Sequence, residues 1–169
     1  MAVHPQFHGQ FTGTVWAVAD MVASLSCLSL PSDALGGRGC DAADNAAVCA
    51  EVLADGGSVQ DGWRFGIMQT IDDYDIALRC GVDVAASVFC REPRRTGHTG
   101  LDAAFAALAT YLAERDGWTA PQWASDSTRV SPEPWCVAGD SWRELAARQT
   151  PAPFAARGVF ITSGALARA

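Results

Sequence analysis

The sequence predicts a mainly α fold, a single-domain multi-helix bundle with an irregular Trp- and Pro-rich C-terminal segment. Apolar residues recur at spacings of three and four along several stretches of the chain. Of 169 residues, 49% are apolar and only 18% charged, and Ala is prominent, a composition that suits closely packed helices. Glycines and prolines interrupt the pattern where such helices have to stop.

The first predicted helix runs from Thr14 to Leu30, where Val15, Val18, Val22 and Leu25 form a stripe that Pro31 ends. A connection, Gly36-Gly37-Arg38-Gly39, leads to Asp41 as an N-cap; Val48, Val52 and several Ala then give a second helix stopped at Asp55-Gly56-Gly57. Ser58 and Asp61 have the form of a capping box for a third helix presenting Val59, Trp63 and Ile67. Thr70 and Asp73 repeat that form and predict a fourth helix, carrying Ile71, Tyr74 and Leu78 inward until Gly81. Asp83 is placed to cap a short fifth helix through Val84 and Val88, closed by Pro93.

The segment 91–100 is polar, and after it Leu101, Phe105, Leu108 and Leu112 form the cleanest apolar stripe of the chain, ending at Asp116-Gly117. Trp118, Pro121, Trp123, Pro132, Pro134 and Trp135 then predict an irregular connection lying across the bundle. Ser141 and Glu144 suggest a capping box for a helix through Leu145, Thr150-Pro151 opens one more turn with Pro in its first position, and 158–161 reads as a short extended piece. No fixed-period repeat or dividing linker is present, so residues 1–12 are expected as a flexible N-terminus and 13–169 as one helical domain.

The formal charge is −7, and the twelve basic side chains are all Arg. Nucleic acid is therefore a poor partner, because phosphate binding needs clustered cations and the only dense basic stretch is Arg91, Arg94, Arg95 and His98. The six Cys (27, 40, 49, 80, 90 and 136) read as buried thiols, since no apolar leader marks an oxidising destination and Cys27 and Cys49 fall inside helical patterns. No run of eighteen apolar residues predicts a membrane span, and the cytoplasm is the expected compartment.

No close pair of His or Cys ligands announces a metal, and no cofactor is expected. Cys90 with His98 is the one nucleophile and base pairing available, and it lacks an orienting third group. Asp72, Asp73 and Asp75 read as cap and dipole partners of a first helical turn rather than as a metal cluster. The pattern most like a recognition surface is Trp118, Trp123, Trp135 and Phe154 with Arg143 and Arg157, since Trp and Arg dominate binding hot spots; core filling is an equal reading for each aromatic.

The segment 102–118, Asp102 through Trp118, preceded by Glu92-Pro93 and Thr96-Gly97, resembles the C-terminal module of actinobacterial antitoxin-like proteins, helix-turn-helix-associated, that accompany nucleotidyltransferase-type toxins. The likeness continues through Pro121-Gln122-Trp123, Pro134-Trp135 and the stretch from Thr150 to Ile161, and is concentrated in 91–169. It implies a non-catalytic protein-binding module of a toxin-antitoxin system, not an enzyme, that neutralises or positions a nucleotidyltransferase-like toxin. Arg91, Arg94, Arg95, Trp123, Trp135, Phe154 and Arg157 are then the partner-binding candidates, and self-association into a homo-oligomer is compatible with it.

The chain departs from that family in two places. Residues 13–57 carry no basic recognition helix, and Phe154-Ala155-Ala156-Arg157 stands where the relatives are Arg-rich. The competing readings are a DNA-associated transcriptional regulator touching phosphates through the Arg91 to His98 loop, and an enzyme using Cys90 or a metal site hidden from sequence spacing.

Overall fold

A computed structural model describes residues 41–167. The helix expected over Thr14–Leu30 and the glycine-rich connection after it lie outside the described residues. The fold class is as predicted, mainly α, with helices α1 Ala42–Ala54, α2 Val59–Gly62, α3 Gln69–Leu78, α4 Val82–Ser87, α5 Thr99–Asp116, α6 Arg143–Gln149 and α7 Ala152–Ala155. Two short strands, β1 Trp135–Cys136 and β2 Val159–Phe160, pair in parallel with Trp135 opposite Val159.

The centre of the bundle is α5. From Gly100 to Ala109 every residue is buried, so the helix presents apolar surface around its whole circumference and has to be enclosed by its neighbours. Its start is fixed by the His98 side chain, whose Nδ1 accepts from the Leu101 amide at 3.2 Å. Just inside, the buried Asp102 carboxylate accepts from the Thr96 amide and hydroxyl, both at 2.8 Å. Gly117, at φ 76°, supplies the left-handed C-cap expected at that position.

The capping predictions at Asp41 and Ser58 hold: Asp41 accepts from the Asp44 amide, and Ser58 and Asp61 form a reciprocal box. The second box does not. Between α2 and α3 the chain stays helical through a six-residue π segment, Trp63–Met68, so 59–78 is one continuous rod with no break at Thr70. The Thr70 hydroxyl instead donates to the Gly66 carbonyl at 2.8 Å. Asp73 accepts from Asn45 of α1 at 2.8 Å and from Gln69 at 3.0 Å. Asp73 is thus part of a buried polar link between helices rather than a terminal dipole partner.

Gly62 and Gly66, one turn apart on the rod, let three helices meet. A Cβ on Gly62 would stand 2.8 Å from Leu101 Cδ1 of α5, and one on Gly66 would stand 3.1 Å from both Cys49 Cβ of α1 and Phe105 Cζ of α5. Small residues at these two positions set how closely the rod can approach both partners.

Three more boundaries differ from expectation. Gly81, at φ 125°, occupies the N-cap of α4 and Asp83 falls within its first turn. Trp142, not Ser141, takes the N-cap of α6 and no side chain caps it. Pro151 lies at the N-cap of α7, one residue before the helix. The thiols divide as well: Cys49 and Cys136 are buried, whereas Cys80 and Cys90 are exposed, which corrects the all-buried reading for those two.

Tryptophans lie across the bundle as expected. Trp118 stacks on Phe89 with centroids 5.8 Å apart and donates from its indole to the Tyr74 hydroxyl at 2.8 Å. That hydroxyl in turn donates to Asp116 at 2.6 Å. Burial, followed by this bond to Asp116, pushes the Tyr74 phenol up to about 12.

Two outcomes are expected of this packing. Gly66→Val should lower stability by ~1–3 kcal/mol through overpacking between α1 and α5, read as a lower urea midpoint with unchanged slope. Because the Tyr74 pKa is raised above its unfolded value of about 10, the protonated phenol favours the native state below pH ~10, and that contribution is lost as pH climbs toward 12. Alkaline unfolding of the Tyr74→Phe variant, whose ring keeps its packing, should therefore begin at higher pH relative to its neutral stability than that of the parent.

Candidate functional site

The polar segment after α4 is not a free loop. Arg91 sits between Asp41 at 2.6 Å and Asp44 at 2.7 Å, the two acids at the start of α1, and these bonds raise its guanidinium pKa further. Arg94 donates to the Ala47 carbonyl at 3.0 Å and faces Glu51 at 3.7 Å. Arg95 reaches Asp126 at 3.1 Å and the Thr128 carbonyl at 3.3 Å. All three remain about half exposed, but each cation already has a carboxylate of its own chain in reach, which leaves less positive potential to offer a phosphate.

Arg95, Trp123 and Arg157 converge on the turn at 122–131. The Trp123 indole is buried and donates to the Phe89 carbonyl at 3.0 Å. The Arg129 guanidinium lies over its ring at 5.3 Å and is itself 1% exposed, bonded through Nη2 to Glu92 at 2.9 Å and to the Pro93 carbonyl. Stacking on the indole covers a cation whose remaining nitrogens have no hydrogen-bond acceptor. Arg157 donates to the carbonyls of Asp126 at 3.0 Å and Arg129 at 2.8 Å, and also to that of Ala124. Burial lowers its pKa, yet its hydrogen-bonding edge is spent on backbone.

Phe154 is fully buried, edge-on to Tyr111 at 6.1 Å. Trp135 is half-buried, packed edge-on against Trp63 at 6.0 Å and against the His98 ring at 5.0 Å. Of the two readings open for these aromatics, core filling describes Trp123 and Phe154, and both the Trp135 and Arg157 side chains contribute to holding the irregular segment together.

Two hollows flank Ser125. One of about 400 Å³ is lined by Glu92, Gln122, Trp123, Ser125 and Asp126. Another of about 390 Å³ lies toward α7, between Thr110, Glu114, Pro153 and Arg157. Backbone and side-chain donors of Thr128 hold the Asp126 carboxyl below the usual range, so the first hollow keeps an anionic rim at neutral pH.

The sequence reading missed Trp142. It is 53% exposed, and Leu145, three residues on, is 39% exposed. The turn carrying them is anchored: Arg143 bonds to Asp140 and to the Pro134 carbonyl at 3.3 Å, and Ala146 is buried beneath. Ideal helical spacing from Ala146 would turn Trp142 inward, but Trp142 closes a 3₁₀ turn, Asp140–Trp142, with φ −104° and ψ 4°, which takes it off that face. The cue in sequence was the combination Trp142-Arg143, aromatic beside cation, which a capping-box reading of Ser141 and Glu144 obscured.

Chemically reactive arrangements are sparse among the described residues. No three His, Cys, Asp or Glu side chains there group as a metal site, and no described helix is long and apolar enough to cross a membrane. The Nδ1 of His98 is committed to the α5 cap. Burial, then the nearby Asp102 charge, pushes the Cys49 thiol up to about 11, which keeps it protonated.

Arg157→Lys should cost ~2 kcal/mol, since an ammonium cannot span three carbonyls in the plane a guanidinium reaches; a lower melting temperature together with faster proteolysis at 122–131 would register the loss. No family model matches this chain, and no curated protein or solved structure matches it either.

Proposed function

We propose that this chain acts as a non-catalytic, antitoxin-like protein-binding module whose main contact is the exposed turn at the start of α6. The observation that carries this is Trp142 beside Leu145, both solvent-exposed on an anchored turn. A half-exposed indole on a rigid element, with Arg143 adjacent and Arg148 near the end of the same helix, has the composition of an interface hot spot. Little ordering entropy would be lost on binding, because Arg143 and the buried Ala146 already hold the turn in place.

The resemblance of residues 91–169 nominates the partner, a nucleotidyltransferase-like toxin encoded beside this chain, met in the cytoplasm. Neutralising such a protein needs only a complementary surface that occludes or repositions it. Arg91, Arg94 and Arg95, half exposed elsewhere on the same chain, are further candidates for contact, since they can exchange their internal carboxylates for those of the partner.

Co-expression with the neighbouring gene product tests this reading. The parent chain should copurify with it and relieve its toxicity. Trp142→Ala should weaken the complex by roughly 30-fold or more, the scale of a hot-spot residue, with melting unchanged because the side chain packs little of the core. A partner that neither copurifies nor loses toxicity removes the proposal, and so does a Trp142→Ala variant that binds as tightly as the parent.

A further inference from the structure

Tyr74 is fully enclosed, yet its hydroxyl is held between two unlike partners. It donates to the Asp116 carboxylate at 2.6 Å and accepts from the Trp118 indole at 2.8 Å. The Tyr74 and Trp118 rings lie 6.2 Å apart between centroids. Phe89 packs against both, at 5.9 Å from Tyr74 and 5.8 Å from Trp118, and reaches Trp123 at 6.5 Å.

Indole and phenol are the aromatic side chains that give up a single electron most readily, and here they are in direct contact. Trp118 is only partly buried, so an oxidant in solvent meets it before it meets Tyr74. The Trp118 N–H points at a phenol oxygen, which is a poor base, whereas the Tyr74 O–H points at a carboxylate.

The surrounding charges decide how the phenol can lose an electron. The Arg115 guanidinium lies over the Tyr74 ring at 5.6 Å, which opposes positive charge on that ring. Electron loss has to be matched by departure of the proton, and Asp116 stands within the reach that proton transfer needs. Arg115 also binds the Asp116 carboxylate at 2.8 to 3.1 Å and holds its pKa below the usual range. An oxidised phenol is a far stronger acid than a carboxylic acid, so the proton still passes to Asp116.

We propose that Tyr74 is a redox site, where an oxidising equivalent comes to rest after a one-electron oxidant of the azidyl or peroxyl radical class has placed it on Trp118. The oxidant takes one electron from the indole and leaves as its anion. Tyr74 returns one electron to the indole radical cation while its O–H bond breaks and the proton goes to Asp116. The products are a neutral indole, a neutral phenoxyl radical and a carboxylic acid. The indole N–H bond survives the change, because the phenoxyl oxygen is still an acceptor. Burial keeps the phenoxyl ring from meeting that of a second molecule. None of this depends on the protein partner proposed above.

Pulse radiolysis of the full chain in azide solution, which generates azidyl radicals that oxidise indole, tests the assignment through the optical bands of the indole and phenoxyl radicals. The chain has two Tyr, and the other, Tyr111, packs edge-on to Phe154. In the Tyr111→Phe variant, where Tyr74 is the remaining phenol, the indole band should decay into the phenoxyl band at a rate independent of protein concentration. Asp116→Asn, which keeps an acceptor oxygen but removes the base, should slow that conversion by about 100-fold. Tyr74→Phe should abolish it and leave the indole radical longer lived.

No phenoxyl band in Tyr111→Phe, a rate that climbs with protein concentration, or conversion in Tyr74→Phe as fast as in the parent overturns the proposal. An unchanged rate in Asp116→Asn overturns it too, because the proton would then have another destination. Should the Tyr74 or Asp116 variants fail to fold, Tyr111→Phe decides alone.

Discussion

Enclosure of α5 is the constraint from which the rest follows. A helix whose residues 100–109 are all buried cannot lie on the surface of anything; it has to be surrounded, and by elements that come close, because five of those ten residues are Ala. Short side chains contribute little contact at long range, so favourable dispersion requires backbone separations that only Gly and Ala permit. Gly62 and Gly66 satisfy that demand on one flank, where α5 and α1 meet the rod. The π segment, Trp63–Met68, carries the rod past Gly66 without a break at Thr70.

The other flank is closed by chain with little regular structure, and there polar side chains take the place of helical hydrogen bonds. Irregular backbone across a core carries amides and carbonyls that need partners. Arg157 meets three carbonyls, Trp123 donates to that of Phe89, and the Ser131 amide donates to the Arg157 carbonyl. Arg129, stacked on Trp123, ties the same turn to Pro93 and Glu92. Arg157, read from sequence as a recognition residue, spends its guanidinium on the fold, which follows from its chemistry: a planar cation with five donors is the most economical group for collecting several carbonyls at once.

Fold class and most helix positions were legible because they depend on local signals. Asp41, Ser58, Gly81 and Gly117 mark ends through cap geometry or positive φ, and Leu101 to Leu112 declares a buried face by spacing alone. The errors came where one local signal had two uses. Thr70 and Asp73 have the form of a capping box, yet the same two side chains serve equally well to bridge to Asn45, and only the tertiary position of α1 decides between them. Ser141 and Glu144 fail for the opposite reason, since a 3₁₀ turn shifts the helix start by one residue and leaves the Ser outside the cap.

The candidate surface was harder to read than the fold because aromatic residues satisfy two opposing criteria. Six Trp in 169 residues can fill a core or populate an interface, and composition does not separate these. What separates them in the fold is exposure. Trp118 and Trp123 each have a hydrogen-bond acceptor inside the protein, a phenol for one and a backbone carbonyl for the other, so burial leaves no donor unmet. Trp142 stands more than half exposed. A large amphipathic ring kept in solvent on a turn that is otherwise tightly held gives the folded monomer little stability. A partner able to cover the ring would gain apolar burial that the folded monomer forgoes, and that asymmetry is the reason the contact is proposed at Trp142 rather than at the aromatics already enclosed.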